Sequence, residues 1–177
     1  MPEDTFGLRP LQADDKTKIS SGDADFAPLS QFLKKDAKRF ERESLSRTYV
    51  AIHESTGNIA SYITLVCSEV KSDPQLMPDG GVNFRYPHFP AIKIARLLTD
   101  QKFRGRGLGE GLIDFAVGRA KEVICPTIGC RFIMVDSKQK SVTFYQKCGF
   151  TLIDTPENKA LATPVLFIDL HKAAAMA

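Results

Sequence analysis

The sequence predicts a single α/β (α+β) domain in which helices pack on a mixed sheet. Its 177 residues match the ordinary size of one domain. Hydrophobic residues make up 43% of the chain and charged residues 25%, which is typical of a globular protein with a packed core. Segments with strand and helix periodicity follow one another along the chain, and a glycine-rich turn separates one strand from the next helix.

The composition excludes several classes of protein. The net charge of +3 excludes a chain that is basic throughout, although it leaves room for a local basic face. The four cysteines form no Cys-x-x-Cys pair or Cys/His cluster, so we expect no metal site. The polar start Met1-Pro2-Glu3-Asp4 is unlike a secretory signal, and no apolar run approaches the ~20 residues of a membrane span. We therefore expect a cytoplasmic protein with reduced thiols and no membrane association.

The first half of the chain predicts a strand, a helix and a hairpin. Residues 6–12 have the pattern of a short strand, and residues 25–42 predict a helix with Pro28 near its start. Residues 48–54 and 59–70 have the pattern of two strands, and the turn sequence between them predicts a hairpin. The apolar stripe of the helix consists of Leu29, Phe32, Leu33, Ala37 and Phe40.

The second half predicts a long loop followed by alternating strands and helices. Residues 71–90 hold four prolines and a Gly-Gly pair, and a loop of that length is expected to have a function. Residues 91–100 are aliphatic and β-branched and predict a strand. Gly149 suits the end of a short helix over residues 138–147. The remaining predicted elements are a helix over 107–124, a strand over 131–135, and closing strands over 150–153 and 164–170.

The glycine-rich turn, residues 104–109, is the most informative stretch. Its sequence is Arg-Gly-Arg-Gly-Leu-Gly, between a predicted strand and a predicted helix. Glycines let a ligand approach the backbone closely, and the free N–H groups at the start of a helix favour phosphate oxygens. A P-loop is excluded because Gly109 is followed by Glu110, and the third glycine is misplaced for a dinucleotide fingerprint. The alternative is a tight strand-to-helix turn without a ligand.

Two motifs resemble the GNAT superfamily of acetyltransferases. Residues 104–109 (Arg-x-x-Gly-x-Gly) are similar to the pyrophosphate-binding motif of that family, and residues 144–150 (Phe-Tyr-x-x-x-Gly-Phe) are similar to a second family segment. The resemblance covers residues 91–153 closely. It implies a single GNAT-like domain over residues 1–177, with helices on both faces of a twisted mixed sheet whose parallel central strands splay apart.

The resemblance implies transfer of the acetyl group of acetyl-CoA to an amine. The pyrophosphate would lie on the backbone N–H groups of residues 104–109, and the pantetheine arm would pair with residues 97–99. A backbone N–H near Leu98 would stabilise the oxyanion on the acetyl carbonyl. Tyr145 would protonate the CoA thiolate as general acid; the alternative is a half-buried aromatic whose hydroxyl is satisfied locally. The residues expected to bind acetyl-CoA are Leu97, Leu98, Thr99, Arg104, Gly105, Arg106, Gly107, Leu108, Gly109, Ser137, Lys140, Thr143 and Phe144.

Further segments resemble the GNAT-fold toxins of type II toxin–antitoxin pairs. They are residues 29–37 (Leu-x-x-Phe-Leu followed by Ala), residues 46–51 (Ser-Arg-Thr-Tyr-Val-Ala) and residues 94–97 (Ile-Ala-Arg-Leu). This resemblance implies that the acceptor is the amino group of an aminoacyl-tRNA, so that translation is blocked. It also implies a homodimer and a cognate antitoxin. Two other hypotheses are a GNAT enzyme acting on a small-molecule amine or a protein or peptide amine, and a non-catalytic CoA-binding domain.

The expected acceptor surface is the basic face of the first helix. Residues 31–47 carry six basic and three acidic residues, whereas the rest of the chain is balanced with eighteen of each. Such a face binds tRNA phosphates with marked salt dependence, and the alternative is an ordinary solvated face. Glu69 is a candidate base, although an α-amino acceptor with a pKa near ~8 needs no strong base. The residues expected to bind the acceptor are Lys34, Lys35, Lys38, Arg39, Arg42 and Arg96, and the alternative for Arg96 is an ion pair with an acid.

Overall fold

The computed structural model describes residues 4–71 and 84–171, whose strands and helices follow the predicted order except that the first helix is split in two and a short helix separates the last two strands. The strands are β1 (Phe6–Pro10), β2 (Arg47–His53), β3 (Asn58–Lys71), β4 (His88–Thr99), β5 (Phe132–Asp136), β6 (Thr151–Leu152) and β7 (Val165–Asp169). The helices are α1 (Ala27–Lys35), α2 (Ala37–Arg42), α3 (Leu108–Arg119), α4 (Val142–Lys147) and α5 (Pro156–Lys159).

The strands form one mixed sheet in the order β1-β2-β3-β4-β5-β7-β6. β1, β2 and β3 pair antiparallel, as the hairpin prediction requires, and β7 pairs antiparallel with both β5 and β6. β4 and β5 form the parallel pair, in a register that runs from Ala91 opposite Phe132 to Ile94 opposite Val135. The pairing stops there, although β4 continues to Thr99. The predicted α/β fold with parallel central strands that splay apart is therefore confirmed.

The chain divides into two compact units, and β3 and β4 contribute to both. The described residues of the first unit are 4–66 and 95–113, and its core forms where α1 and α2 meet the sheet. The hydroxyl of the buried Tyr62 donates a hydrogen bond to the Leu29 carbonyl of α1 at 2.7 Å, so burial of this ring leaves no polar group unpaired. The buried core residues are Ile19, Phe32, Leu33, Ala37, Val50, Ile59, Tyr62 and Leu98.

The second unit has its own core on β4, β5 and β7. Its described residues are 67–71, 84–94 and 114–171. Phe132 packs edge to face against Phe89 and Phe167, with ring centroids 5.3 and 5.7 Å apart. Next to this cluster, Arg131 donates two hydrogen bonds to the buried Asp169 carboxylate, at 2.8 and 2.9 Å. This paired geometry satisfies a carboxylate that would be costly to bury alone.

The helix predicted over residues 25–42 is interrupted. A 3-10 turn at Ala24–Phe26 precedes α1, and Asp36 separates α1 from α2 with φ −116° and ψ −32°. The hydrogen-bond ladder nevertheless continues through Asp36, whose N–H donates to the Phe32 carbonyl at 2.9 Å. The apolar stripe keeps its helical spacing across this bend, which is why periodicity alone predicts one continuous helix.

Other elements also differ from the predictions. The helix predicted over 138–147 begins with a 3-10 turn at Gln139–Ser141, and α4 follows at Val142. β4 begins at His88, so that Pro90 lies inside a strand, and its carbonyl accepts a hydrogen bond from the Arg131 N–H at 2.9 Å. The helix predicted over 107–124 changes after Arg119 into a π-helical turn at Ala120–Ile124. α5 was not predicted because it has only four residues, although Thr155 accepts a hydrogen bond from the Asn158 N–H as its N-cap.

Some predictions fall outside the described residues or concern the chain as a whole. The greater part of the predicted 71–90 loop, residues 72–83, and the tail from residue 172 lie outside them. No helix of the described part of the chain is long and apolar enough to cross a membrane. Within that part, His, Cys, Asp and Glu side chains form no group of three that could hold a metal ion. The single domain over residues 1–177 stays a prediction.

Candidate active site

The glycine-rich turn links β4 to α3 in the first unit. The Asp100 carboxylate accepts a main-chain hydrogen bond at 2.9 Å and so starts a single 3-10 turn at Gln101–Phe103. Gly105 and Gly107 follow with φ of 74° and 72°, a left-handed conformation that residues with a Cβ rarely adopt. α3 then begins at Leu108. The N–H groups of its first turn have no partner within the helix and, with the helix dipole, favour an anion.

The space beside this turn is open. A Cβ built on Gly105 or Gly107 meets no heavy atom within 4 Å. A phosphate can therefore approach the backbone of the turn without displacing a side chain. The geometry suits the predicted pyrophosphate contact at residues 104–109, and that contact stays a prediction.

The turn is braced from one side by the loop that precedes α1. Arg104 donates a hydrogen bond to the Ser21 carbonyl. The Ser20 N–H donates to the Asp100 carboxylate at 3.0 Å, and the Gln101 N–H donates to the Ser20 carbonyl at 2.8 Å. This bracing could not be predicted from the sequence because its partners lie about eighty positions apart and no local pattern marks them. The predicted role of Arg104 in binding acetyl-CoA stays a prediction, and in this structure the side chain also supports the turn.

Arg106 is held by the start of the chain. It forms an ion pair with Asp4, whose carboxylate also lies 3.1 Å from Nε2 of His53. The Arg106 guanidinium lies 5.7 Å from the centroid of the Phe103 ring. Arg106 would have to exchange Asp4 for a phosphate if it contacts the cofactor directly.

The end of β4 has a fixed backbone. Ser61 of β3 donates a hydrogen bond to the Leu98 carbonyl at 2.9 Å, and the Thr99 hydroxyl lies 2.8 Å from the same Ser61 oxygen. Leu98 is 6% exposed and belongs to the core of the first unit. The N–H and C=O of one strand residue point to the same edge, so Leu98 directs both towards β3. Leu97 and Thr99 therefore present their backbone groups at the other edge of β4, which places the candidate oxyanion donor beside Leu98 rather than on it.

Tyr145 lies on α4 in the second unit. It is 7% exposed, and its ring packs edge to face against Phe144 and Phe150 with centroids 5.2 and 5.5 Å away. Burial raises the pKa of the Tyr145 phenol, which stays protonated at neutral pH. Its hydroxyl makes no hydrogen bond with a described residue. Among these residues Ser46 Oγ is the only fully enclosed side-chain polar atom without a partner, so the Tyr145 hydroxyl keeps some access to solvent.

This geometry bears on the two interpretations of Tyr145 made from the sequence, and its role as general acid stays a prediction. A hydroxyl satisfied by a local partner was the alternative to a proton donor, and the described part of the chain supplies no such partner. The helix ends directly afterwards, where Gly149 has φ 92°. The aromatic cluster therefore holds the ring in place and leaves the O–H free to donate.

The other predicted cofactor residues of the second unit lie near α4. Ser137 is 2% exposed and its hydroxyl donates to the Lys138 carbonyl at 2.9 Å, so this side chain closes the turn after β5. Lys140 and Thr143 are exposed, and Phe144 is half-buried. Their contact with the CoA arm stays a prediction.

The cations of the predicted acceptor surface on α1 and α2 are of two kinds: some are held by nearby carbonyl or carboxylate groups, and the others have no such partner. The Lys38 ammonium donates to the carbonyls of Ala13 and Asp15, at 2.7 Å each, and ties the preceding loop to α2. Arg39 pairs with Asp36 and Glu43 at 3.0 and 3.2 Å. Among the cations of α1 and α2, the exposed ones that pair with no acid of residues 4–71 and 84–171 are Lys34, Lys35 and Arg42. Of the five predicted phosphate ligands on these helices, these three are the side chains that are free to bind a partner.

Arg96 projects from β4 towards α1. Its guanidinium carbon lies 3.6 Å from the centroid of the Phe32 ring, which is a stacked cation–π contact. No carboxylate of the described residues pairs with it. The ion pair that was the alternative interpretation of Arg96 is therefore absent from that part of the chain.

Glu69, the candidate base, is a surface residue of β3. Its side chain is 68% exposed and lies 3.8 Å from Nδ1 of His88. Its role in proton transfer stays untested.

Comparison with known proteins agrees with the motifs. The family model of the acetyltransferase (GNAT) domain matches residues 44–152. A tRNA-acetylating toxin of Mycobacterium tuberculosis (strain ATCC 25618 / H37Rv) is 30% identical over 145 residues, which are 81% of this chain and 82% of that protein. A glucosamine 6-phosphate N-acetyltransferase of Arabidopsis thaliana is 29% identical over 58 residues, 33% of this chain and 36% of that protein.

Solved structures share the fold over nearly the whole chain. AtaT complexed with acetyl-methionyl-tRNAfMet has a TM-score of 0.75 and 19% identity, and the match covers 97% of this chain and 99% of that one. The AtaT-AtaR complex bound to DNA has a TM-score of 0.71 and 21% identity, with 96% and 98% covered. At these identities the likeness establishes the fold.

Proposed function

The chain belongs to the GNAT family of acetyltransferases, and we propose that it transfers the acetyl group of acetyl-CoA to the amino group of an aminoacyl-tRNA, as a toxin that blocks translation. The observation that carries the proposal is the 30% identity, over most of both chains, with a tRNA-acetylating toxin. The three free cations on α1 and α2 support it because they suit a polyanionic acceptor.

The donor is acetyl-CoA, in keeping with the family. We place its pyrophosphate on the N–H groups of residues 104–109, where Gly105 and Gly107 leave the backbone open. The pantetheine arm would extend β4 by pairing with Leu97 and Thr99, whose backbone groups face away from β3. Backbone donors at this edge would also stabilise the negative charge that develops on the acetyl oxygen.

The reaction proposed is direct transfer. The neutral amine nitrogen attacks the thioester carbonyl carbon, the C–S bond breaks, and the nitrogen loses a proton to solvent. The departing CoA sulfur takes a proton from the Tyr145 hydroxyl, which solvent later restores. Because a buried phenol is protonated at neutral pH and this one has no described partner, Tyr145 suits the role of general acid.

The acceptor amine needs little assistance. An α-amino group has a pKa of about 7.7–8.0, so a substantial fraction is already neutral near pH 7.5. A lysine acceptor, with a pKa of about 10.4, would require a stronger base. Since the proposed acceptor presents an α-amino group, we assign no role as a base to the exposed Glu69.

The decisive experiment is an acetylation assay with purified charged tRNA. We expect radiolabel from acetyl-CoA to enter the aminoacyl-tRNA pool, to be absent from deacylated tRNA, and to be released as an N-acetyl amino acid by mild alkali. Sequencing of the acetylated pool would identify the amino acid that is selected. Label in glucosamine 6-phosphate or in peptides, with none in charged tRNA, would reject the tRNA proposal and favour a small-molecule or peptide amine, the first of which the partial likeness to the plant enzyme supports.

The free cations give a second prediction. Replacing Lys34 and Lys35 together with alanine should raise KM for charged tRNA and reduce the salt dependence of log KM by about 1 for each phosphate that the variant no longer neutralises. The measurement is KM at several salt concentrations, with acetyl-CoA saturating. Lys159→Ala is the matched control, because that exposed lysine lies on α5 and pairs with Asp154. An unchanged slope in the double variant would place the tRNA elsewhere.

Two partners follow from the same proposal. We infer a homodimer and a cognate antitoxin, since the segments at residues 29–37, 46–51 and 94–97 resemble toxins of type II pairs. The inference of an antitoxin is supported by the solved AtaT-AtaR complex, because AtaT shares the fold of this chain. Sedimentation of the purified chain, and relief of toxicity on co-expression of an adjacent small reading frame, would test the two inferences separately.

A further inference from the structure

We propose that Arg96 binds a phosphate group of the acceptor and so positions its amine beside the end of β4. The proposal rests on the proposed transfer to a phosphate-bearing acceptor.

The Arg96 side chain is held by aromatic neighbours and not by an acid. Its guanidinium stacks on Phe32, whose ring packs edge to face on Phe40 with centroids 5.4 Å apart. The positive charge also lies within electrostatic range of the Tyr62 phenol, where it opposes the rise in pKa that burial causes. Tyr62 is itself fixed by its hydrogen bond to the Leu29 carbonyl. The guanidinium is therefore positioned on a rigid surface.

Stacking leaves the hydrogen-bonding edge of Arg96 unused. A guanidinium has five N–H donors in one plane, and a ring against its face satisfies none of them. Arg96 is half-buried, and residues 4–71 and 84–171 offer it neither an ion pair nor a side-chain hydrogen bond. A planar, fixed and unpaired donor fork matches two oxygens of a phosphate, the geometry for which arginine is preferred over lysine.

The position of Arg96 places this donor fork close to the reaction. Arg96 and Leu98 are two residues apart on β4, so they share one face of the strand with their Cα atoms roughly 7 Å apart. Both contact the α1 side of the first unit, Leu98 through the core and Arg96 through Phe32. A phosphate on Arg96 would therefore anchor an acceptor on the α1 side of β4, beside the strand residues whose backbone donors are proposed for the acetyl group.

The phosphate could belong to the terminal nucleotides of a charged tRNA or to a phosphorylated amino sugar, and the experiment separates these sources. Aminoacyl-adenosine and the aminoacyl dinucleotide CpA differ by one phosphodiester and the cytidine that it carries, whereas glucosamine and glucosamine 6-phosphate differ by one phosphate alone. We expect wild type to prefer the phosphate-bearing member of one pair by about tenfold in kcat/KM, about 1.4 kcal/mol. Arg96→Met should bring that ratio towards one, mainly through KM, and Arg96→Lys should keep part of it.

Controls distinguish this role from a structural one. Arg119→Met, at an exposed arginine in the last turn of α3, should leave the ratio unchanged. Binding of unacylated CpA and of adenosine, followed by NMR, reports on the phosphate without requiring turnover. Two results would overturn the proposal. In the first, Arg96→Met lowers kcat/KM equally for both members of a pair. In the second, wild type and Arg96→Met bind CpA equally and the variant has no effect on the amino-sugar pair. A ratio that depends on Arg96 for the amino sugar alone would support the phosphate site and refute the tRNA acceptor.

Discussion

Replacing Tyr145 with phenylalanine is expected to lower kcat by about 10²- to 10⁴-fold, the usual contribution of a general acid. The variant would leave the CoA thiolate without its proton donor, while the contacts proposed for acetyl-CoA at the glycine-rich turn remain. KM for acetyl-CoA should therefore change little. In cells, the same substitution should abolish growth arrest if the protein is the proposed toxin.

The fold should survive this substitution because the ring, and not the hydroxyl, contributes to packing. Phe144 and Phe150 both contact the aromatic ring of Tyr145, and the hydroxyl has no hydrogen-bond partner among the described residues. The midpoint of thermal unfolding should thus stay close to that of wild type. Tyr49→Phe, at a half-buried tyrosine of β2, removes the same atom elsewhere and should leave kcat unchanged.

The pH dependence follows from the direction of the pKa shift. Burial raises the pKa of Tyr145 above the ordinary value of about 10, so the phenol keeps its proton at every pH below that raised pKa. The acid is lost only as pH rises through the raised pKa. Deprotonation of Tyr145 should therefore not lower the kcat of wild type at any pH below about 10. A Tyr145→Phe variant with wild-type kcat would overturn the assignment.

The parts of the site that are local in sequence could be predicted from it. The glycine-rich turn and the Phe-Tyr segment each lie within seven residues, so their spacing already determines which groups meet. The hairpin of β2 and β3 was predictable for the same reason, since a turn sequence separates two strand patterns. Even the bend at Asp36 leaves the apolar face of α1 and α2 in the predicted positions.

The parts that depend on contacts distant in sequence could not. Whether a lysine on α2 is free or bound depends on the carbonyls of residues 13 and 15, and Lys38 proves to be bound. The partner of Arg96 is a ring on α1 and not an acid, which strand periodicity cannot show. These contacts decide which predicted cations can bind a ligand, and for that reason composition overstated the free basic surface.

Alanine at Gly107 is expected to weaken acetyl-CoA binding by roughly 30-fold, about 2 kcal/mol, the value of one hydrogen bond to a charged phosphate. Gly107 has φ 72° and its Cα faces open space, so a methyl group there would project into the volume proposed for the pyrophosphate. The added strain of a left-handed alanine, about 1–2 kcal/mol, would in addition favour a turn whose N–H groups no longer converge.

A matched control separates these two effects. Gly57, in the turn between β2 and β3, has φ 68° and likewise no heavy atom within 4 Å of a built Cβ. Gly57→Ala should therefore lose about as much free energy of unfolding in urea as Gly107→Ala, yet bind acetyl-CoA with the wild-type Kd by titration calorimetry. Equal Kd values for the two variants would mean that the pyrophosphate does not lie on the glycine-rich turn. A weaker Kd confined to Gly107→Ala would place it there, because backbone strain is common to both substitutions and the phosphate contact is not.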